Sequence, residues 1–222
     1  MELLAPYITD HKRELIEVAL DHRTYHVTIA LEDIFQSHNA SAVLRSCDCF
    51  GIQKINVIEN RNQYQVNPDV AVGATKWVDL VRYNDPDTDN SQACLDRLRS
   101  EGYRILATTP DPRATDITTL ALDQKVALFF GTELNGLSKP LLKQADQQVK
   151  IPMYGFTKSF NISVSAAIIM HNLTSRLHEQ KAIPWQLTAE EKTDLRLQWF
   201  RKIVKKSDLL EKALIKQTET GT

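Results

Sequence analysis

The segment VALFFGTELNGLS, residues 126–138, decides the fold class, because five consecutive apolar residues pass directly into a turn bounded by Gly131 and Gly136. An uninterrupted apolar run of this length reads as a strand covered on both faces, the environment of a parallel sheet. A glycine-bounded turn at the carboxyl end of such a strand is the usual ligand position in an open α/β fold. The segment alone fits a second reading equally well, a tight turn in which the glycines simply supply positive φ.

Working outward, the same alternation recurs. Upstream, Val27 to Leu31, Lys54 to Ile58, Trp77 to Tyr83 and Arg104 to Thr108 read as short strands, and Gln148 to Ile151 reads as the last one. Between them Ala40, Val43, Leu44, Cys47 and Phe50 mark a helix that stops at Gly51, and Ser91 to Ser100 mark another that ends near Gly102. The expectation is an α/β fold with an open, mostly parallel sheet covered on both faces. Helices flank it: an amphipathic one from Asp10 to His22, a long one from Ile162 to Gln180, and one opened by the capping box Thr188-Ala-Glu-Glu191. Residues 1–24 are therefore expected to form an N-terminal helical extension, 25–180 the core domain, and 181–222 a C-terminal basic helical extension.

Composition narrows the function classes. The 222 residues are 42% hydrophobic, enough to bury a real core. No apolar run approaches the roughly 20 residues that span a bilayer, and the opening MELLAPYITDHKRE lacks a secretory layout, so no membrane is expected and a cytoplasmic location is the default. The three cysteines, Cys47, Cys49 and Cys94, include no Cys-x-x-Cys pair, which argues against a disulfide framework or a zinc site. His171 and His178 lie two helical turns apart, too far to chelate comfortably, so no metal is expected. The net charge of −1 does not advertise a polyanion binder. Positive charge nevertheless clusters at the ends, at His11, Lys12 and Arg13, then at Lys192, Arg196, Arg201, Lys202, Lys205 and Lys206. Taken alone, that clustering also fits a solvated helix face.

Three segments carry the candidate chemistry. In the first one quoted, Gly131 and Gly136 are spaced as in a phosphate-binding P-loop, but Leu137 stands where that loop requires lysine, which removes the ATPase and GTPase readings. A second, IPMYGFTKSFNISVS at 151–165, runs from strand through loop into helix, with Ser159, Asn161 and Ser163 near the helix start. Oxygens there cap free N–H groups, and exposed amides there can also bind a ligand's polar atoms. The third, SHNASAVLRSCDCFG at 37–51, puts Asn39 at a helix entrance and Arg45 about two turns in, beside apolar surface. A snorkelling surface arginine satisfies that pattern too.

Together the segments resemble the three ordered motifs of the TrmH branch of the SPOUT methyltransferases. They are Asn39-x-x-Ala-x-x-Arg45-Ser-x-Asp-x-Phe-Gly51, Phe130-Gly-Thr-Glu133-x-x-Gly136-Leu-Ser138, and Ile151-Pro-Met-x-Gly155-x-x-x-Ser159-x-Asn161-x-Ser163-Val-Ser165. The resemblance covers about Thr28 to Gln180. It implies a C-terminal deep trefoil knot, one of the few exceptions to the rule that chains do not thread loops, and a homodimer. It also implies S-adenosyl-L-methionine (SAM) as methyl donor, held mainly by backbone atoms of the second and third motifs.

By position, Thr108, Gly131, Ile151 and Phe160 would line the cofactor, Phe160 standing where the family commonly has leucine. The resemblance assigns Arg45 as the catalytic arginine acting across the dimer interface and Asn39 as the residue orienting it. Glu133, Ser159 and Asn161 would shape the site. Guanidinium keeps its proton in nearly all proteins, so Arg45 is read as fixing a phosphate and stabilising developing oxyanion charge while a phosphate oxygen or water accepts the proton.

Ribosomal RNA relatives often carry a separate N-terminal RNA-binding domain, whereas only a short segment precedes the first strand here. Helices at both ends resemble the tRNA enzymes that methylate the D-loop guanosine. On that reading Lys12, Arg13, Arg201, Lys202, Lys205 and Lys206 become phosphate contacts. The alternatives are a ribosomal RNA 2′-O-methyltransferase and a catalytically silent RNA-binding protein of the same fold.

Overall fold

The computed structural model describes residues 4–220, with side chains through residue 213. In chain order the elements are α1 (Asp10–Asp21), β1 (Val27–Glu32), α2 (Ser37–Cys49), β2 (Lys54–Ile58), α3 (Pro68–Ala71), β3 (Asp79–Tyr83), α4 (Asn90–Ser100), β4 (Arg104–Thr108), β5 (Thr115–Asp116), β6 (Val126–Phe130), α5 (Lys139–Gln144), β7 (Gln147–Lys150), α6 (Ile162–Glu179), α7 (Ala189–Ile203) and α8 (Ser207–Thr220). The seven strands form one sheet in the order β3-β2-β1-β6-β4-β7-β5, and every pairing is parallel.

The apolar run that suggested a covered strand is the middle of this sheet. Every residue of β1 and β6 is buried. Side-chain alternation divides β6 between two cores. Val126, Leu128 and Phe130 join Val27, Ile29 and Leu31 under α2 and α6, whereas Ala127 and Phe129 join Ala30, Ile105 and Ala107 under α4 and α5. The sheet grows outward from β1 through β2 to β3, then resumes on the other side, with β6 inserted between β1 and β4. That reversal of direction is the topological switch point, and the crevice outside the carboxyl ends of β1 and β6 lies there.

Three readings of the sequence shift. Trp77 and Val78 do not belong to a strand: Asn67 caps α3, Pro68 occupies its first turn, and left-handed Val72 and Gly73 lead into a short 3-10 turn at Ala74–Lys76, so β3 begins only at Asp79. The last strand is Gln147–Lys150, which leaves Ile151 in the following loop. Two short elements carried no periodic signal, β5 with its two residues and α5, which Ser138 caps.

The chain divides into two compact units, Thr24–Trp185 and the combined segments Met1–Arg23 with Gln186–Thr222. Trp185 closes the larger unit: its carbonyl accepts a hydrogen bond from the Thr24 hydroxyl and its ring packs on the sheet's core. In the smaller unit Thr9 caps α1, and Thr188 with Glu191 forms the expected capping box of α7. Asp21 pairs with Lys192 at 2.7 Å, and Glu17 grips Arg196 through two contacts of 2.5 and 2.6 Å. Lys192 and Arg196 are thus already matched by carboxylates. No helix among the described residues is long and apolar enough to cross a membrane.

Candidate active site

At the carboxyl edge of β6 the chain turns back on itself between Thr132 and Gly136, whose backbones exchange two hydrogen bonds of 3.0 and 2.9 Å. Gly136 has φ +66°, a conformation that favours glycine. Gly131 is required for another reason: a Cβ there would lie 2.1 Å from the carbonyl carbon of Gly136. One glycine serves the turn's conformation and the other the close approach of its two strands.

The other two segments converge on this turn. α2 brings Asn39 to the edge, 4% exposed. Its amide donates to Glu133 Oε1 at 2.8 Å and to Gln36 Oε1 at 3.0 Å, and its own oxygen accepts from Asn161 Nδ2 at 3.2 Å. Asn161 caps α6, its Oδ1 accepting from the Ser163 N–H at 2.9 Å and the Ser163 hydroxyl at 2.7 Å. One chain of hydrogen bonds, Glu133 to Asn39 to Asn161, therefore joins all three segments. Within the chain the Asn39 amide is spent on Glu133 and Gln36, and among the described residues it shares no hydrogen bond with Arg45.

Between the segments lies a cavity of about 580 Å³ whose lining includes Asn39, Thr108, Gly131, Glu133, Ile151, Ser159, Phe160 and Asn161. Its volume falls within the roughly 300–1,000 Å³ typical of small-molecule sites. Thr108, at the end of β4, turns its hydroxyl to the Phe129 carbonyl at 2.7 Å. Gln36, Thr109, Pro110 and Ile169 also line the cavity and escaped the sequence reading. Thr109 and Pro110 directly follow a strand, which is the signal that could have found them.

The lining holds two charged side chains, Glu133 and Lys150, and the Lys150 ammonium donates to the Pro112 carbonyl. Such a wall does not suit a nucleoside triphosphate, which needs several cationic or N–H donors. It does suit SAM, whose uncharged adenosine, amino-acid tail and cationic sulfur match apolar surface, loop backbone groups and a carboxylate.

Arg45 lies elsewhere. Its side chain is exposed, it is absent from the cavity lining, and it makes no hydrogen bond or ion pair among the described residues. The basic residues named for RNA binding divide similarly. Arg13 pairs with Asp10, and Arg201 pairs with Glu211 at 3.1 Å, while Lys202, Lys205 and Lys206 are exposed and Lys12 is half-buried. Among the described residues no cluster of three or more His, Cys, Asp or Glu side chains is placed to hold a metal.

The tRNA (guanosine(18)-2′-O)-methyltransferase of Borreliella burgdorferi is 44% identical over 209 residues, 94% of this chain and 93% of that protein. Among solved structures, the A. aeolicus TrmH/SpoU tRNA modifying enzyme superposes with a TM-score of 0.75 at 25% identity, covering 88% of this chain and 98% of that one. The SpoU methyltransferase AviRb from Streptomyces viridochromogenes, in complex with the cofactor AdoMet, shares the fold at a TM-score of 0.61 and 17% identity, over 78% of this chain and 81% of its own. The SpoU rRNA Methylase family matches residues 26–171, where the strands, the cavity and all three segments lie. The chain belongs to the SpoU methylase family.

Proposed function

We propose that this chain is a SAM-dependent tRNA 2′-O-methyltransferase that modifies the ribose of guanosine 18 in the D-loop. The observation that carries the reading is the single cavity on which all three segments converge, tied together through Asn39. The tRNA assignment draws on the 44%-identical relative, whose likeness extends over both terminal helical segments as well as the methylase core.

The site works as a homodimer. Arg45 is exposed and outside its own chain's cavity, and the apolar side chains of Tyr154, Phe156, Val164 and Ile168 stand exposed on the third segment and on α6. A second copy that covers those side chains would bring its own Arg45 to the cavity. A C-terminal deep trefoil knot, implied by the resemblance of the three ordered segments to the SPOUT motifs, is part of the same proposal. The cytoplasm, where tRNA is modified, is the proposed location.

When bound, SAM supplies an electrophilic methyl group with a good leaving group, so the displacement needs no metal. The chain's own work is positioning. Gly131, Ile151, Thr108 and Phe160 form the cofactor wall, and Glu133 is held in place by Asn39 before any ligand arrives. Such preorganisation avoids reorganisation during the reaction. Arg45 of the partner subunit grips the phosphate beside the reacting ribose and stabilises charge developing on the 2′-oxygen, while a phosphate oxygen or water takes the proton. Ser159 and Asn161 shape the mouth, and Lys12, Arg13, Arg201, Lys202, Lys205 and Lys206 serve as phosphate contacts.

Incubation with methyl-tritiated SAM and either tRNA or ribosomal RNA tests the reading. Label in tRNA is expected. Label in ribosomal RNA alone would contradict the substrate, and SAM binding without transfer to either would favour a silent RNA-binding protein.

A further inference from the structure

Glu32 ends β1 on the face covered by α4 and α5, and it is 4% exposed. Its carboxylate accepts three hydrogen bonds. Oε2 takes the Ser138 backbone N–H at 2.8 Å, and Oε1 takes the Ser138 hydroxyl at 2.8 Å and the Ser91 hydroxyl at 2.7 Å. No lysine, arginine or histidine forms an ion pair with it among the described residues.

Ser138 is the last residue of the segment that turns back at Gly131 and Gly136. Its hydroxyl also accepts the Leu141 N–H at 3.4 Å at the start of α5, so donation to Glu32 fixes which way that hydroxyl points. Ser91 likewise accepts from Asn60 Nδ2 at 2.9 Å. The segment enters from Phe130, which is in register with Leu31, and leaves at Ser138, which is bound to Glu32, the next residue along the same strand. Both ends of the loop are thus fastened to the tip of β1. Burying a carboxylate without a cation is costly unless every oxygen is satisfied, and here two of the three satisfying donors belong to the loop's last residue.

We infer that Glu32 is a positioning residue for the methyl-transfer site, its carboxylate pinning Ser138 so that the loop from Gly131 to Ser138 keeps the shape that receives SAM. Glu32 touches neither the cavity nor the substrate and acts through the loop alone. The inference rests on the proposed SAM site.

Glutamine at this position keeps one acceptor oxygen but turns an NH₂ toward donors that need an acceptor. Titration calorimetry with SAM, on the full-length chain, is expected to show Glu32→Gln raising the SAM Kd by about tenfold or more, the scale of one lost charge-assisted hydrogen bond. The apparent KM for SAM should rise more than kcat falls. Ser138→Ala, which retains the backbone donor, is expected to raise Kd by a smaller factor and keeps the test available should the glutamine variant not fold. In the double variant the two effects should not multiply, because they remove the same tie. A Glu32→Gln protein with lowered Tm but unchanged SAM Kd, or effects that multiply, would overturn the inference while leaving the SAM site intact. Failure of the unmutated chain to bind SAM would instead overturn the proposed function and this inference with it.

Discussion

Asn39 joins segments that are far apart in the chain: its amide group contacts Glu133 and Asn161 at 2.8 and 3.2 Å. Asn39→Asp would set a carboxylate against that of Glu133, and like charges at this distance resist being ionised together. We expect kcat/KM to fall by about 100-fold, measured with saturating tRNA; near-unchanged kinetics would show that the contact is incidental. Arg45 should behave differently, because it stands outside its own cavity. Arg45→Lys removes the planar fork that grips phosphate in two places, so kcat should drop by at least about tenfold while the SAM Kd stays constant. Turnover near that of the unmutated chain would rule out a bidentate role. Both residues stood out in the sequence through the motifs they belong to, as did Glu133 and Asn161, yet the hydrogen bonds that join Asn39 to those two did not. Hydrogen bonds between residues about a hundred positions apart depend on how strands are ordered, which spacing along a chain does not record.

Elements followed the sequence best where both faces are covered. The boundaries expected for the strands at Lys54 to Ile58, Arg104 to Thr108 and Val126 to Phe130 match β2, β4 and β6, since buried parallel strands leave continuous apolar runs. The two-residue β5 left no such trace, and the aromatic Trp77 resembled a strand residue although it closes the end of a 3-10 turn. The turn after β6 permits a sharp prediction. Gly131→Ala would force its Cβ to within 2.1 Å of the Gly136 carbonyl carbon, and backbone cannot move aside as a flexible side chain can. SAM binding by calorimetry should be lost while far-UV circular dichroism keeps the α/β signature; tight binding would mean the turn opens at little cost. The capping box of α7 is a contrasting case. Thr188→Ala removes one acceptor from a helix start and should lower stability in urea by about 1 kcal/mol, with no change in SAM Kd.

Across the whole molecule, the open α/β class and helical termini were legible in the sequence, but the pairing of the two terminal segments into one unit was not. Charge gave an incomplete guide for the same reason: the basic residues Lys192 and Arg196 meet Asp21 and Glu17 from the opposite end of the chain. A dimer built as proposed makes Arg45 and Gly131 serve one site from different chains. Mixing inactive Arg45→Ala and Gly131→Ala proteins after joint refolding should therefore restore roughly a quarter of full activity, since half of randomly paired dimers would carry one intact site of two. No recovery would place Arg45 and the cavity in the same chain's site. The central claim is methyl transfer to a ribose in tRNA, and mass spectrometry of nuclease-digested tRNA after reaction with methyl-labelled SAM tests it most directly. The account predicts one label per tRNA as 2′-O-methylguanosine at the D-loop position; label on a base, or no label in tRNA, would contradict it.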